Sequence, residues 1–250
     1  MLKVTHAAIR AAGVGDMTRI LAEYGEAIKN LPLAESANVL SRPYSEFKTA
    51  VENGLFFIVE NEAGTFMAGA GAFDLADPTV KELGMCYVKK EWRGFGLQTL
   101  LLNVRVCAAT LGQASQPNLP AGTKRSCARL ITGVKPANER SAANTGELGF
   151  EPLALPPAAL FLACEACRTP PAPGSGRICC CDFFYLPDTR RADAIENILA
   201  MKDWSRTRND VRLVVSFKVR HLLDPDFRNS LQDTVFELRS HRAAEEGIHK

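Results

Sequence analysis

The chain has 250 residues, 46% of them hydrophobic and 23% charged, with a formal net charge of +2. That size and composition allow a sizeable buried core and exclude a disordered chain, and the near balance of charge excludes nucleic-acid binding through overall charge alone. No run approaches the roughly 18 apolar residues of a membrane span, and the opening MLKVTHAAIRAAGVGD lacks a basic region followed by an apolar block and cleavage site, so a cytoplasmic location without a membrane partner is expected.

In chain order, Asp16 is placed to cap a helix through Met17, Ile20, Leu21, Tyr24 and Ile28, apolar positions three and four apart. LFFIVE (55 to 60) and FMAGAGAFDL (66 to 75) read as strands joined by Asn61-Glu62-Ala63-Gly64, which predicts a β-hairpin. KELGMCYV (81 to 88) predicts a further strand. Leu97, Leu100, Leu101, Val104, Ala108 and Leu111 then predict a helix of about four turns. Residues 112 to 127 form a long polar loop rich in proline and glycine. ARLITGV (128 to 134) returns to strand character, and Asn138 stands where a helix cap belongs, ahead of a short helix ending at Leu148-Gly149-Phe150. PPAPGSG (170 to 176) reads as a break and ICCCDFFYL (178 to 186) as a buried strand. A helix (190 to 201), a strand (211 to 219) and a helix (227 to 238) complete the reading, with no internal repeat. Alternating strands and helices around a hairpin predict an α/β fold with a mixed sheet.

Between the strand at 81 to 88 and the helix after it stands Arg93-Gly94-Phe95-Gly96. Glycine carries an entropic cost at such a position. The free N–H groups of a strand-to-helix turn lie at the positive end of a helix dipole and bind anions, and missing side chains let phosphate reach them. No Gly-Lys-Ser/Thr follows, and the third glycine of the dinucleotide fingerprint is absent.

The stretch Val88-Lys89-Lys90-Glu91-Trp92-Arg93-Gly94-Phe95-Gly96-Leu97 resembles the acyl-CoA pyrophosphate signature of the GNAT superfamily of N-acyltransferases, Arg/Gln-x-x-Gly-x-Gly/Ala after a strand ending in valine. Arg93 and Gly96 match, and Gln98 stands where the family has glycine or alanine. ITGVKPANERSAANTGELGF (131 to 150) is similar to the family's next strand and helix, with Asn138, Ser141, Gly149 and Phe150 matching and Gly149 eleven positions after Asn138. The resemblance covers about residues 7 to 155. It implies a mixed, mostly antiparallel sheet flanked by helices, in a GNAT-like domain over residues 1 to 187 that carries the 112 to 127 loop and an insertion at 156 to 177. Residues 188 to 250 would form a C-terminal helix-strand-helix extension.

What the resemblance implies about function is equally specific. The strands at 81 to 88 and 128 to 134 would splay apart to admit acetyl-CoA as co-substrate. The backbone from Cys86 to Val88 would bind the pantetheine and the thioester carbonyl, and the amides of Arg93, Gly94, Phe95, Gly96, Leu97 and Gln98 the pyrophosphate. Asn138, with Ser141 in the same motif, would meet the pantetheine arm. The acyl group would pass to an unidentified amine by direct attack in a ternary complex. Glu82 is the first candidate for the base, and Glu60, ending another strand, the second. The family's tyrosine acid, seven positions after the asparagine, is Thr145 here, so Tyr87, Cys86, water or no group replaces it. The alternative is a catalytically degenerate acyl-CoA sensor or interaction protein.

Eight cysteines without a secretion signal read as reduced thiols. Cys164, Cys167, Cys179 and Cys181 could bind zinc, pack as small apolar residues or act in redox chemistry. Between Lys202 and Arg220, six basic residues stand against two acidic ones. That stretch is either a solvated face or a contact for an acidic ligand, with a nucleic-acid or protein acceptor left open.

Overall fold

A computed structural model describes residues 2–30, 42–75, 79–111, 129–135, 138–153 and 181–247. The described elements are β1 (Lys3–Ala11), α1 (Met17–Lys29), α2 (Tyr44–Glu52), β2 (Phe56–Asn61), β3 (Phe66–Asp74), β4 (Val80–Val88), α3 (Leu97–Leu111), β5 (Arg129–Val134), α4 (Glu139–Glu147), β6 (Glu151–Pro152), β7 (Asp182–Tyr185), α5 (Asp188–Ala200), β8 (Asp203–Arg208), β9 (Val211–Phe217), α6 (Arg220–Leu223) and α7 (Pro225–Gly247). The strands form one sheet in the order β6-β7-β5-β4-β3-β2-β1-β9-β8. Only the β1–β9 and β4–β5 neighbours run parallel, so the sheet is mixed and mostly antiparallel. No helix among the described residues is long and apolar enough to cross a membrane.

Both faces of the sheet are covered, which explains why its central strands read as apolar runs rather than as alternations. Phe57 and Val59 of β2 point toward α3, whereas Phe56 and Ile58 join Phe47 of α2 and Ile20 of α1 on the other face. Helix α3 is buried all round, with every residue from Leu101 to Thr110 buried. The sheet covers one side of it, and α5, packed in turn on α7, covers the other.

Gly71 of β3 shows how tightly the second face is packed. A Cβ there would lie 2.7 Å from ring atoms of both Phe56 and Phe73, and both rings are buried. Gly71→Ala is expected to cost about 1–3 kcal/mol, the usual penalty for overfilling a packed core, measured as a lower urea midpoint with an unchanged slope.

Three elements go beyond the sequence reading. The alanine-rich β1 fits helix and strand equally well by pattern, and becomes a strand because β2 and β9 pair on either side of it. In the polar segment containing α2, only Phe47, Ala50 and Val51 are buried. β8 buries Trp204 alone, and its pairing with β9 supplies the strand. The C-terminal helix-strand-helix prediction therefore gains a strand, and β8 and β9 continue the same sheet beyond β1. The loop at 112–127 and the insertion at 156–177 lie outside the described residues, apart from their neighbouring strands.

Asp16 precedes α1 but does not cap it through its side chain. Its carboxylate accepts hydrogen bonds from Arg10 at 2.7 and 2.8 Å, from Arg19 and from the Gly13 backbone N–H. The hydrogen bonds from Arg10 hold Asp16 at about 2, below its ordinary value of 3.8. A group with a depressed folded pKa stabilises fully above its unfolded value and loses that contribution as the pH falls through the folded one. The window therefore runs from about pH 4 down to pH 2. Asp16→Asn should lower stability at pH 7 by about 1 kcal/mol after solvent screening, and the difference from the parent protein should vanish in urea melts near pH 2.

Candidate functional site

Strands β4 and β5 pair over three residues only, Val80 with Arg129, Lys81 with Leu130 and Glu82 with Ile131. Beyond Glu82 they part, and no strand among the described residues lies beside that edge of β4 there. Within that stretch β4 bulges. Gly69 faces Tyr87 and Gly71 faces Gly84, so Met85 and Cys86 together stand opposite Ala70. Met85 takes a left-handed backbone with φ 48°, a conformation that non-glycine residues rarely adopt.

The bulge is held from both faces. From α1, the Tyr24 hydroxyl lies within hydrogen-bond reach of the Gly69 and Met85 carbonyls. From α3, Nη1 of Arg105 donates to the carbonyls of Gly71 at 3.2 Å and Gly84 at 3.4 Å, and its Nε to Leu101 at 3.1 Å. The carbonyls that the interrupted ladder releases are thus taken up by two side chains, as buried backbone groups require. Neither residue stood out in the sequence, because only the tertiary fold brings them to β4.

At the end of β4, Arg93 turns back and donates through Nε to the Val88 carbonyl at 3.0 Å. The turn that follows has left-handed glycines at Gly94 (φ 81°) and Gly96 (φ 79°). The backbone N–H groups of Gly94 through Thr99 have no acceptor among the described residues; the first helical bond is from Leu100 N–H to the Gly96 carbonyl, 3.1 Å. Six consecutive donors at the start of a helix of fifteen residues form a surface for an anion.

Both glycines also lie against side chains of β8. A Cβ on Gly94 would sit 2.8 Å from Nη1 of Arg208, and one on Gly96 would sit 3.3 Å from the Trp204 ring and 4.0 Å from Nε of Arg206. Arg208 also donates through Nη1 to the Arg93 carbonyl. Trp204, Arg206 and Arg208 alternate along one face of β8, so the C-terminal hairpin lies against the turn. A cavity of about 200 Å³ remains between them, lined in part by Lys3, Trp92, Phe95 and Arg208. The basic stretch after Lys202 was the signal in the sequence; its place beside the glycines is set by the β1–β9 pairing.

Glu82 stands where β4 and β5 separate, its Oε1 3.6 Å from the position of a Cβ on Gly133 of β5. Its carboxylate is paired with Arg42, both side chains being 12% exposed. Arg42 also meets Glu46 at 2.7 Å and lies 4.0 Å above the centre of the Phe73 ring. Tyr87 packs beside Tyr24 and Phe66, and burial raises the pKa of its phenol, which keeps it a neutral donor. Cys86 is exposed, yet set among enough protein to push its thiol pKa up, opposite to the shift of an activated nucleophile.

The second motif has local roles of its own. Oδ1 of Asn138 accepts from the Ser141 N–H at 3.1 Å and caps α4. The Thr145 hydroxyl, buried, donates to the Ser141 carbonyl at 2.8 Å. Gly149 (φ 85°) ends the helix, with Phe150 N–H bonding back to the Thr145 carbonyl at 3.2 Å. Glu60 is tied to Arg10 and Arg19 at 2.7 and 2.8 Å. Burial works against its charge, but the hydrogen bonds from those arginines win and hold its pKa below the ordinary value. Glu60 is thus held by two arginines at the end of β2.

Cys164, Cys167 and Cys179 lie outside the described residues. Cys181 is buried with Val80, Ile131 and Phe183, and among the described residues no group of three or more histidine, cysteine or acidic side chains could hold a metal.

No protein-family model matches the chain, and no curated protein does. Solved structures similar to it include N-acetylglutamate synthase from Neisseria gonorrhoeae complexed with coenzyme A and N-acetyl-glutamate, at 18% identity and TM-score 0.45, where the likeness covers 72% of this chain and 34% of that one. An acetyltransferase of the GNAT family from Staphylococcus aureus has 13% identity and TM-score 0.46 over 72% of this chain and 98% of that one. Spermidine N-acetyltransferase from Vibrio cholerae in complex with CoA and spermine has 13% identity and TM-score 0.43, over 72% and 94%. The chain thus spans about a third of the length of the first of these structures.

Proposed function

We propose that this protein is a GNAT-type N-acyltransferase that takes acetyl-CoA and transfers its acetyl group to an amine. One arrangement carries the reading: β4 bulges and parts from β5 after three paired residues, directly before a turn with six open backbone donors. A parted, bulged edge offers backbone groups to a pantetheine amide, and the open N–H groups suit a diphosphate. Arg93, Gly94, Phe95, Gly96, Leu97 and Gln98 form the phosphate end of this site, and Cys86 to Val88 the thioester end. Asn138 and Ser141 border it from α4.

The amine, neutral, attacks the thioester carbonyl directly in a ternary complex. Glu82 takes the amine proton through water, and a β4 N–H near Cys86 or Tyr87 faces the oxyanion. Tyr87, on β4 itself, carries a neutral phenol that can donate there. The bond that Thr145 makes within α4 supports leaving it out of that role. The raised thiol pKa of Cys86 supports direct attack over a covalent cysteine intermediate.

Arg206, beside Gly96, adds positive charge at the phosphate end. Arg206→Glu should weaken acetyl-CoA binding about tenfold by calorimetry, since it removes a charge-assisted contact and adds repulsion. The loss should shrink in high salt.

A second reading, an acyl-CoA-binding protein without transferase activity, is favoured by the ion pair that holds Glu82 and by the missing tyrosine at Thr145. Calorimetry with acetyl-CoA, followed by thiol release over a panel of polyamines, amino acids and peptide N-termini, separates the two. Binding with thiol release establishes the enzyme, binding alone the sensor, and no binding overturns both.

A further inference from the structure

A buried arginine ordinarily has a carboxylate partner, because an unpaired charge in the interior is expensive. Arg105 is 3% exposed and has none among the described residues: its guanidinium donates to the carbonyls of Leu101, Gly71 and Gly84. Nη2 has no acceptor among the described residues. The titratable groups around it are Cys86 of β4 and Tyr24 of α1, both neutral at physiological pH. Tyr87 packs on the α1–α2 face and Val88 on the α3 face, so alternation along β4 turns Cys86 toward α3 and Arg105. Cys86 is nevertheless exposed, because β5 has already parted from β4 there. A fixed cation therefore lies beneath the opening, with no anion among the described residues to neutralise it.

We propose that Arg105 stabilises the coenzyme A thiolate that leaves during acyl transfer, in place of a hydroxyl proton donor on α4. The inference rests on the acyl-CoA reading of the cleft. In the step, the amine lone pair forms the C–N bond and the C–S bond breaks, its electron pair leaving on sulfur. The amine proton passes to Glu82 through water, and the thiolate later takes a proton from solvent. Arg105 keeps all its protons throughout, since a guanidinium is not deprotonated in proteins. It acts by its field, and by its grip on the bulge that presents the β4 edge.

Coenzyme A itself is the probe, so the acceptor need not be known. The protein is saturated with CoA and titrated with base, reading thiolate absorbance in the ultraviolet, with the desulfo-CoA complex as reference to subtract the eight protein cysteines. The bound thiol is expected to be about tenfold more acidic than that of free CoA, a nearby positive charge favouring the anion. Arg105→Met should abolish the difference and Arg105→Lys should keep part of it. A structural clamp alone would leave the bound thiol titrating like free CoA in the unmodified protein, and that result overturns the proposal even if neither variant folds. Equal acidity in folded, CoA-bound Arg105→Met and parent protein overturns it as well. If the parent protein does not bind CoA, the acyl-CoA reading itself falls, an outcome distinct from binding without a shift.

Discussion

Replacing Glu82 with glutamine should lower acetyl transfer by about 10²- to 10⁴-fold, the usual contribution of a positioned base, while acetyl-CoA binding by calorimetry stays within about threefold. The asymmetry follows from position. Glu82 stands at the point where β4 and β5 part, away from the glycine turn that would hold the phosphates. Glutamine keeps the shape and removes the basic oxygen, and Arg42 retains Glu46 as a partner. Arg42→Met is the complementary variant: it strands a carboxylate that is 12% exposed, and should cost about 3 kcal/mol or more of stability in urea melts. Full activity in Glu82→Gln would remove Glu82 from the mechanism and leave the ion pair a structural one.

Ending the chain at residue 187 should abolish folding rather than trim an appendage. Ile195, Ile198, Leu213, Val215, Leu231 and Leu238 are all at most 2% exposed and belong to the core cluster that holds α3. Burying one such side chain is worth about 1.5–3 kcal/mol, so losing six removes an amount comparable to a typical total stability of about 5–15 kcal/mol. Truncation would also leave the apolar outer side of α3 and the edge of β1 bare. Expression of residues 1–187 should yield insoluble protein or a chain without a cooperative thermal transition. A soluble, cooperatively melting fragment would show that these residues form a separable unit.

The hairpin of β2 and β3, the strands β4 and β5, and the helix α3 were legible because each has a strong pattern bounded by a turn or a glycine. The strand β8 was not, because its single buried residue, Trp204, leaves no alternation to detect. For the same reason Asp16 reads as a cap from its position alone. Of its actual partners, Arg19 is one helical turn away, whereas Arg10 is presented by β1. Thr145 was recognisable as a departure from the motif, and the fold adds that its hydroxyl donates to the Ser141 carbonyl within α4.

By itself, then, the sequence determined the local geometry on which the functional reading rests. Two left-handed glycines before a helix, a helix cap at Asn138 and a glycine stop at Gly149 are consequences of residue type and short-range sterics. Tertiary structure alone decided what surrounds them. Pairing of β9 with β1 carries Arg206 and Arg208 to the glycine turn, packing of α1 and α3 brings Tyr24 and Arg105 to the bulge from opposite faces, and the approach of Arg42 to β4 closes on Glu82. These side-chain contacts join residues from 21 to 115 positions apart. Their energies depend on burial and on charges brought together by the whole fold, and no window of sequence contains both partners.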